Sequence, residues 1–221
     1  MLAAVRNSSR NVSFMLMRAS LPNISGASRG HADMPQGHAD APLDGAHQNI
    51  KNMRRRDISL RQDLKLAAAR SWDEGVSSGF ASESLADIMH GKKVVLFGVP
   101  AAFTGVCSQS HVPGYVAKVA EFKGKGIDKI ICVSINDPFA MNMWAEHMGV
   151  DKSKVSFYAD VDGSFARALG LEKDLSVALL GQRSQRYSMF VDNGIIIKMN
   201  VEESPSDLKV TDADTLLGQI K

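Results

Sequence analysis

Cysteine is nearly missing from this chain: its 221 residues hold two, Cys107 and Cys132. So few cysteines exclude the disulfide-dense framework of a small secreted domain, and no C-x-x-C pair offers a thioredoxin motif or a zinc ribbon. Long apolar runs are also missing. None reaches the roughly 18 residues that a membrane span requires, so the mature chain reads as soluble with no membrane partner. Acidic side chains are absent from the first 32 residues, which carry Arg6, Arg10, Arg18 and Arg29 among many serines.

That acid-free, arginine-bearing start has the composition of a mitochondrial presequence, with the matrix as destination. The rival is a secretory signal, since Asn7-Ser8-Ser9, Asn11-Val12-Ser13 and Asn23-Ile24-Ser25 match the glycosylation acceptor pattern. Its apolar core, Phe14-Met15-Leu16-Met17, is shorter than a secretory signal needs. Residues 33–70 read as a linker, mobile or processed, with His-Ala-Asp at 31–33 and 38–40 and a basic run at 51–56. Residues 71–221 are left as one domain, large enough to bury a core. They carry 15 Lys/Arg against 19 Asp/Glu, which argues against a nucleic-acid partner.

From Lys93 onward, short β-branched runs alternate with helical patterns: strand 93–98, helix about 107–122, strand 129–135, helix about 138–148, strand 155–159 and a short helix at 163–169. That order implies parallel strands joined by crossover helices. Asp137-Pro138 supplies a cap followed by proline at the first helical position, and Pro113 is expected to kink its helix. Two further strands, 187–191 and 195–199, flank Asp192-Asn193-Gly194, whose Asn-Gly favours a tight hairpin. Thr211-Asp212-Ala213-Asp214 then resembles a capping box opening a last helix with Leu216, Leu217 and Ile220 inward. A βαβ half followed by a ββα half predicts an α/β chain of thioredoxin-like fold, a mixed central sheet flanked by helices.

Cys107 follows the first strand and opens a helix, where free N–H groups and the helix dipole favour a thiolate. Pro100-Ala101-Ala102-Phe103-Thr104-Gly105-Val106-Cys107-Ser108, with His111-Val112-Pro113-Gly114-Tyr115 behind it, resembles the active-site segment of the type II, or atypical two-cysteine, peroxiredoxins. The likeness continues through residues 133–139 and Arg186-Tyr187-Ser188-Met189, and with Ser71-Trp72-Asp73-Glu74-Gly75 and the presequence it runs nearest to the plant mitochondrial members. The loop departs from many members, which have Gly at the position of Ala101 and Pro-Thr at Gly105-Val106.

The resemblance implies a thiol-dependent peroxidase acting on hydrogen peroxide and alkyl hydroperoxides, without cofactor or metal, in antioxidant defence and redox homeostasis. Cys107 would be the nucleophile, Thr104 would direct its hydroxyl at the thiolate or peroxide, and Pro100 would shield the sulfur. Thr104 also reads as an ordinary helix cap, and Pro100 as a strand-ending breaker. Arg186 would bond thiolate and peroxide oxygen together while staying cationic. Arg183 competes with it, Arg167 reads as surface, and only the match to the R-x-S segment favours Arg186.

A lone cysteine in mid-strand is most often an inert small hydrophobe. The resemblance instead makes Cys132, 25 residues after Cys107, the resolving thiol. A disulfide needs Cα atoms within about 7 Å, so forming it is expected to require unwinding of the Cys107 turn. Glutathione, glutaredoxin or thioredoxin would act as reductant, and a homodimer is one allowed assembly. His111 reads as a helix-surface imidazole, and Cys107, Cys132, His111 and His147 lack zinc-ligand spacing. The alternative function is a peroxide sensor or thioredoxin-fold binding protein that passes oxidation to a partner.

Overall fold

In the computed structural model, residues 63–221 are described; the presequence and residues 33–62 of the expected linker lie outside them. A seven-stranded mixed sheet forms the centre, in the order β2-β1-β5-β4-β3-β8-β9. Its strands are β1 (Lys65–Ala68), β2 (Glu83–Ser84), β3 (Lys93–Gly98), β4 (Lys129–Ser134), β5 (Ser156–Ala159), β8 (Tyr187–Asp192) and β9 (Ile195–Val201). β6 (Glu172–Asp174) and β7 (Gln182–Ser184) pair separately. β3 runs parallel to β4 and β4 to β5, whereas β8 lies antiparallel to β3 and β9 to β8. The expected thioredoxin-like order is present.

Alternation along β3 and β4 sorts side chains onto two faces, as the period of two in a strand requires. Val95 and Phe97 join Ile130 and Cys132 in one apolar core. Val94 and Leu96 join Ile131 and Val133 in the other. Cys107 belongs to the first, so both thiols lie on the same side of the sheet. The Asn-Gly hairpin forms as expected, with both Asn193 and Gly194 at positive φ, 45° and 80°.

Two expectations change. Residues 65–68, assigned to the linker, form β1, because Ala67 and Ala68 find antiparallel partners in Ala159 and Tyr158 and Leu66 becomes fully buried. Short helices α1 (Trp72–Ser77) and α2 (Leu85–Met89) follow it, and Ser71 and Glu74 form a capping box on α1. The expected helix 107–122 is three pieces: a π turn Cys107–His111, then α3 (Val112–Ala117) and α4 (Val119–Gly124). Pro113 has no N–H to offer the Gln109 carbonyl, and the Val112 amide reaches back to Cys107 O in the wider π register.

The remaining helices are α5 (Pro138–His147), α6 (Ser164–Ala168) and α7 (Ala213–Gln219). Asp137 caps α5 through the Ala140 amide. Asp212, one residue later than the expected Thr211, caps α7 by accepting from Thr215 N. Among the described residues, no helix is long and apolar enough to cross a membrane.

Candidate active site

β3 ends at Gly98, where Tyr187 of β8 lies directly opposite. A Cβ at residue 98 would sit 1.9 Å from the Tyr187 ring, so this position requires glycine. The chain then turns through Val99, Pro100, Ala101 and Ala102, all buried, before Phe103 and Gly105 return to the surface. Two ties hold the turn. Val99 N donates to Val133 O at 3.0 Å, and Ala102 N donates to Asn136 Oδ1 at 3.1 Å. Ser134 Oγ donates to the same Asn136 oxygen at 2.9 Å, so the end of β4 fixes the loop after β3.

Cys107 Sγ lies at the end of that loop, 2.9 Å from Thr104 Oγ1. The same hydroxyl is 2.9 Å from Ala101 O. A hydroxyl has one proton, so it serves these two acceptors alternately. Opposite a thiol it donates to Ala101 and can accept the S–H; opposite a thiolate it is free to donate to sulfur. Thr104 also acts as a backbone cap, its carbonyl accepting from Ser108 N at 3.0 Å.

Arg186 reaches the sulfur from the start of β8. Nη2 stands 3.5 Å from Cys107 Sγ, and the residue is 2% exposed. A buried guanidinium needs its protons satisfied. Pro205 O accepts from Nε at 3.2 Å and from Nη2 at 2.7 Å, and His111 Nδ1 lies 3.0 Å from Nη1. Arg183, the sequence competitor, donates instead to Leu180 O and Ile135 O, away from the thiol. Arg167 pairs with Glu172 at the surface, as expected.

His111 departs from its expected surface place and is 1% exposed. Nε2 is 3.0 Å from Thr211 O, which can only accept, so Nε2 carries the proton and Nδ1 accepts from Arg186. Burial first, and the Arg186 charge second, lower its pKa to about 3, keeping the ring neutral. Tyr115 OH donates to the same Thr211 carbonyl at 2.9 Å, and its ring stacks on Phe97 with centroids 4.0 Å apart. Tyr115 shares the helical stretch with His111, four residues on, so one aromatic wall places both polar groups.

Cys107 and Cys132 are free and fully buried. The Cys107 sulfur is thus covered, but the cover is thin: Thr104, Val106 and Ser108 around it are partly exposed. Cys132 sits in mid-β4, paired with Phe97 of β3 and Phe157 of β5. Burial pushes its pKa well up, with repulsion from Cys107 adding, so in the fold it is a protonated thiol. Trp144 of α5 donates from Nε1 to Ser108 Oγ at 3.0 Å, tying the π turn to the neighbouring helix. Among the described residues, no group of His, Cys, Asp and Glu is arranged to hold a metal ion.

A parallel βαβ unit that delivers a thiol beside an arginine from an antiparallel hairpin defines a thiol enzyme of thioredoxin-like fold. Comparison with known proteins narrows the class. The redoxin family pattern matches residues 61–217. The chain is 50% identical over 212 residues, 96% of each protein, to "Peroxiredoxin-2F, mitochondrial" of Arabidopsis thaliana. It is 55% identical over 163 residues to the protein of the same name from Oryza sativa subsp. japonica, covering 74% of this chain and 82% of the rice protein. Among solved structures, reduced Prx3 from Vibrio vulnificus in complex with H2O2 superposes with a TM-score of 0.64 at 39% identity, over 72% of this chain and 94% of that one. Peroxiredoxin 5 from Alvinella pompejana gives 0.62 at 29%, over 75% and 96%. The chain belongs to the redoxin family and, within it, to the peroxiredoxins. Thiol-dependent reduction of peroxides, in an antioxidant role, is the activity of that family and of this chain.

Proposed function

We propose that Cys107 is the peroxide-reducing nucleophile and that Thr104, Arg186 and Pro100 form its site. The observation that carries this is the position of one buried sulfur between a hydroxyl at 2.9 Å and a guanidinium at 3.5 Å. Both groups donate, so both can bond the peroxide oxygens as charge shifts onto them. Thiolate sulfur attacks the near peroxide oxygen; an S–O bond forms, the O–O bond breaks, and the leaving alkoxide or hydroxide takes a proton as alcohol or water. Cys107 becomes a sulfenic acid. Pro100 has no N–H and a rigid ring, and serves as the buried wall that limits access to small peroxides.

In the second half-reaction, Cys132 attacks the sulfenic sulfur, an S–S bond forms and water leaves. Cys132 is buried and protonated in the fold, so this path needs the Cys107 π turn to unwind first. A π turn is a weak place in a helix, which suits it to that movement. Direct capture of the sulfenic acid by glutathione is the competing path, with glutaredoxin or thioredoxin returning the thiol in either case. The mitochondrial matrix is the proposed location, supported by the acid-free, arginine-bearing residues 1–32 and by relatives whose names place them in mitochondria.

Peroxide consumption with each reductant tests the proposal in wild type, Cys107→Ser and Cys132→Ser. Loss of turnover in Cys107→Ser alone means external resolution; loss in both means resolution by Cys132. Undiminished turnover in Cys107→Ser contradicts the site.

A further inference from the structure

Arg186 and His111 depend on a segment that has no ladder of its own. Residues 203–210 leave β9 and return to α7 with one internal backbone bond, Asp207 N to Ser204 O at 3.0 Å. Yet two carbonyls of this stretch and its edge hold the polar side of the thiol site. Pro205 O takes two protons of Arg186, and Thr211 O takes His111 Nε2–H and Tyr115 O–H. Something must fix the segment to better than an ångström if the guanidinium is to stay on the sulfur.

Glu202 is that tie. It is 4% exposed, and its Oε1 accepts from Lys209 N at 2.8 Å, Val210 N at 2.8 Å, Thr211 N at 2.9 Å and Thr211 Oγ1 at 2.9 Å. Three consecutive amides and a hydroxyl on one anionic oxygen make a closed nest, with bonds stronger than neutral ones. The Glu202 amide donates to Arg186 O at 2.9 Å, so the same residue also joins the segment to the backbone that carries the arginine. These bonds outweigh burial and hold the carboxyl below its ordinary pKa, hence ionised.

We infer that Glu202 is a positioning residue for the reaction: its carboxylate closes the 203–210 segment so that Pro205 O and Thr211 O hold Arg186 and His111 against Cys107. The inference rests on the reading that Arg186 assists the Cys107 thiolate. Its direction is diagnostic, because acting through space a negative charge near the site disfavours a second anion. Neutralising Glu202 would then speed the reaction. Acting through the segment, the same change loosens the guanidinium and slows it.

The test uses the full chain with Glu202→Gln, Glu202→Asp and Arg186→Lys, each checked for an intact cooperative melt. The readouts are the second-order rate with hydrogen peroxide and the ultraviolet absorbance of the thiolate at neutral pH in a Cys132→Ser background. Glu202→Gln is expected to slow peroxide reduction about tenfold, a cost of ~1.4 kcal/mol, with a parallel loss of thiolate signal and partial recovery in Glu202→Asp. If Glu202→Gln does not fold, Thr211→Val carries the test. It removes one of the four donors and leaves the carbonyl, and a smaller loss in the same direction is expected. An unchanged or faster Glu202→Gln enzyme beside a slow Arg186→Lys overturns the inference alone. A fast Arg186→Lys overturns the reading beneath it as well.

Discussion

Arg186 Nη1 donates to His111 Nδ1 across 3.0 Å, a cation bonded to the lone pair of a buried, neutral imidazole. The pairing holds only while the ring stays unprotonated, since a proton on Nδ1 would turn the acceptor into a second cation facing the first.

This sets the acid behaviour of the fold. The unfolded ring titrates near the ordinary 6.5, and the folded one near about 3. Between those values the unfolded chain binds a proton that the fold refuses, so stability falls as pH drops from about 6.5 towards about 3. The expected loss is at most about 5 kcal/mol over that window. Melting temperature against pH is the measurement. His111→Gln can donate to Thr211 O and accept from Arg186 without titrating, and its curve should be flatter across the same window.

Thr104 gives a second prediction. Thr104→Val keeps shape and loses the hydroxyl 2.9 Å from the sulfur, whereas Thr104→Ser keeps the hydroxyl. Loss of one donor aimed at developing charge costs about a hundredfold in rate. Rapid-mixing kinetics with peroxide should show that fall for Val and a much smaller one for Ser.

The two thiols should differ sharply towards a neutral alkylating agent. Both are fully buried, but Cys132 lies in mid-sheet with its pKa driven up while the residues around Cys107 are partly exposed, so native protein at neutral pH should carry the label on Cys107 long before Cys132. In denaturant the difference should vanish. Peptide mass mapping over time reads both conditions.

Trp144 reports the proposed unwinding. Its Nε1 bonds Ser108 Oγ, next to Cys107, and the ring is fully buried. The chain has two tryptophans, so Trp72→Phe leaves one signal. Oxidation to the Cys107–Cys132 disulfide should move Trp144 emission to longer wavelength, and thiol reduction should restore it. In Cys132→Ser the shift should be absent.

Much of this is legible in the sequence. β3, β4 and the Asn193-Gly194 hairpin announce themselves through β-branched runs and turn chemistry, both local signals. Where the partner lies far along the chain, the signal disappears. His111 read as a surface ring because the groups that bury it, Arg186 and Thr211, lie 75 and 100 residues away. β1 read as linker because its four residues gain meaning only beside β5. β6 and β7 carry Glu172-Lys173-Asp174 and Gln182-Arg183-Ser184, with no apolar alternation to mark them. Asn136 and Glu202 carry no such signal: each acts chiefly on backbone amides, which leave no trace in side-chain pattern.

Trapping the sulfenic acid tests the central claim most directly. Cys132→Ser protein, given less than one equivalent of hydrogen peroxide in the presence of a carbon nucleophile selective for sulfenic acids, is digested and mapped by mass. The account predicts one adduct, on Cys107, in step with the peroxide consumed. Peroxide consumed with Cys107 unmodified would contradict it.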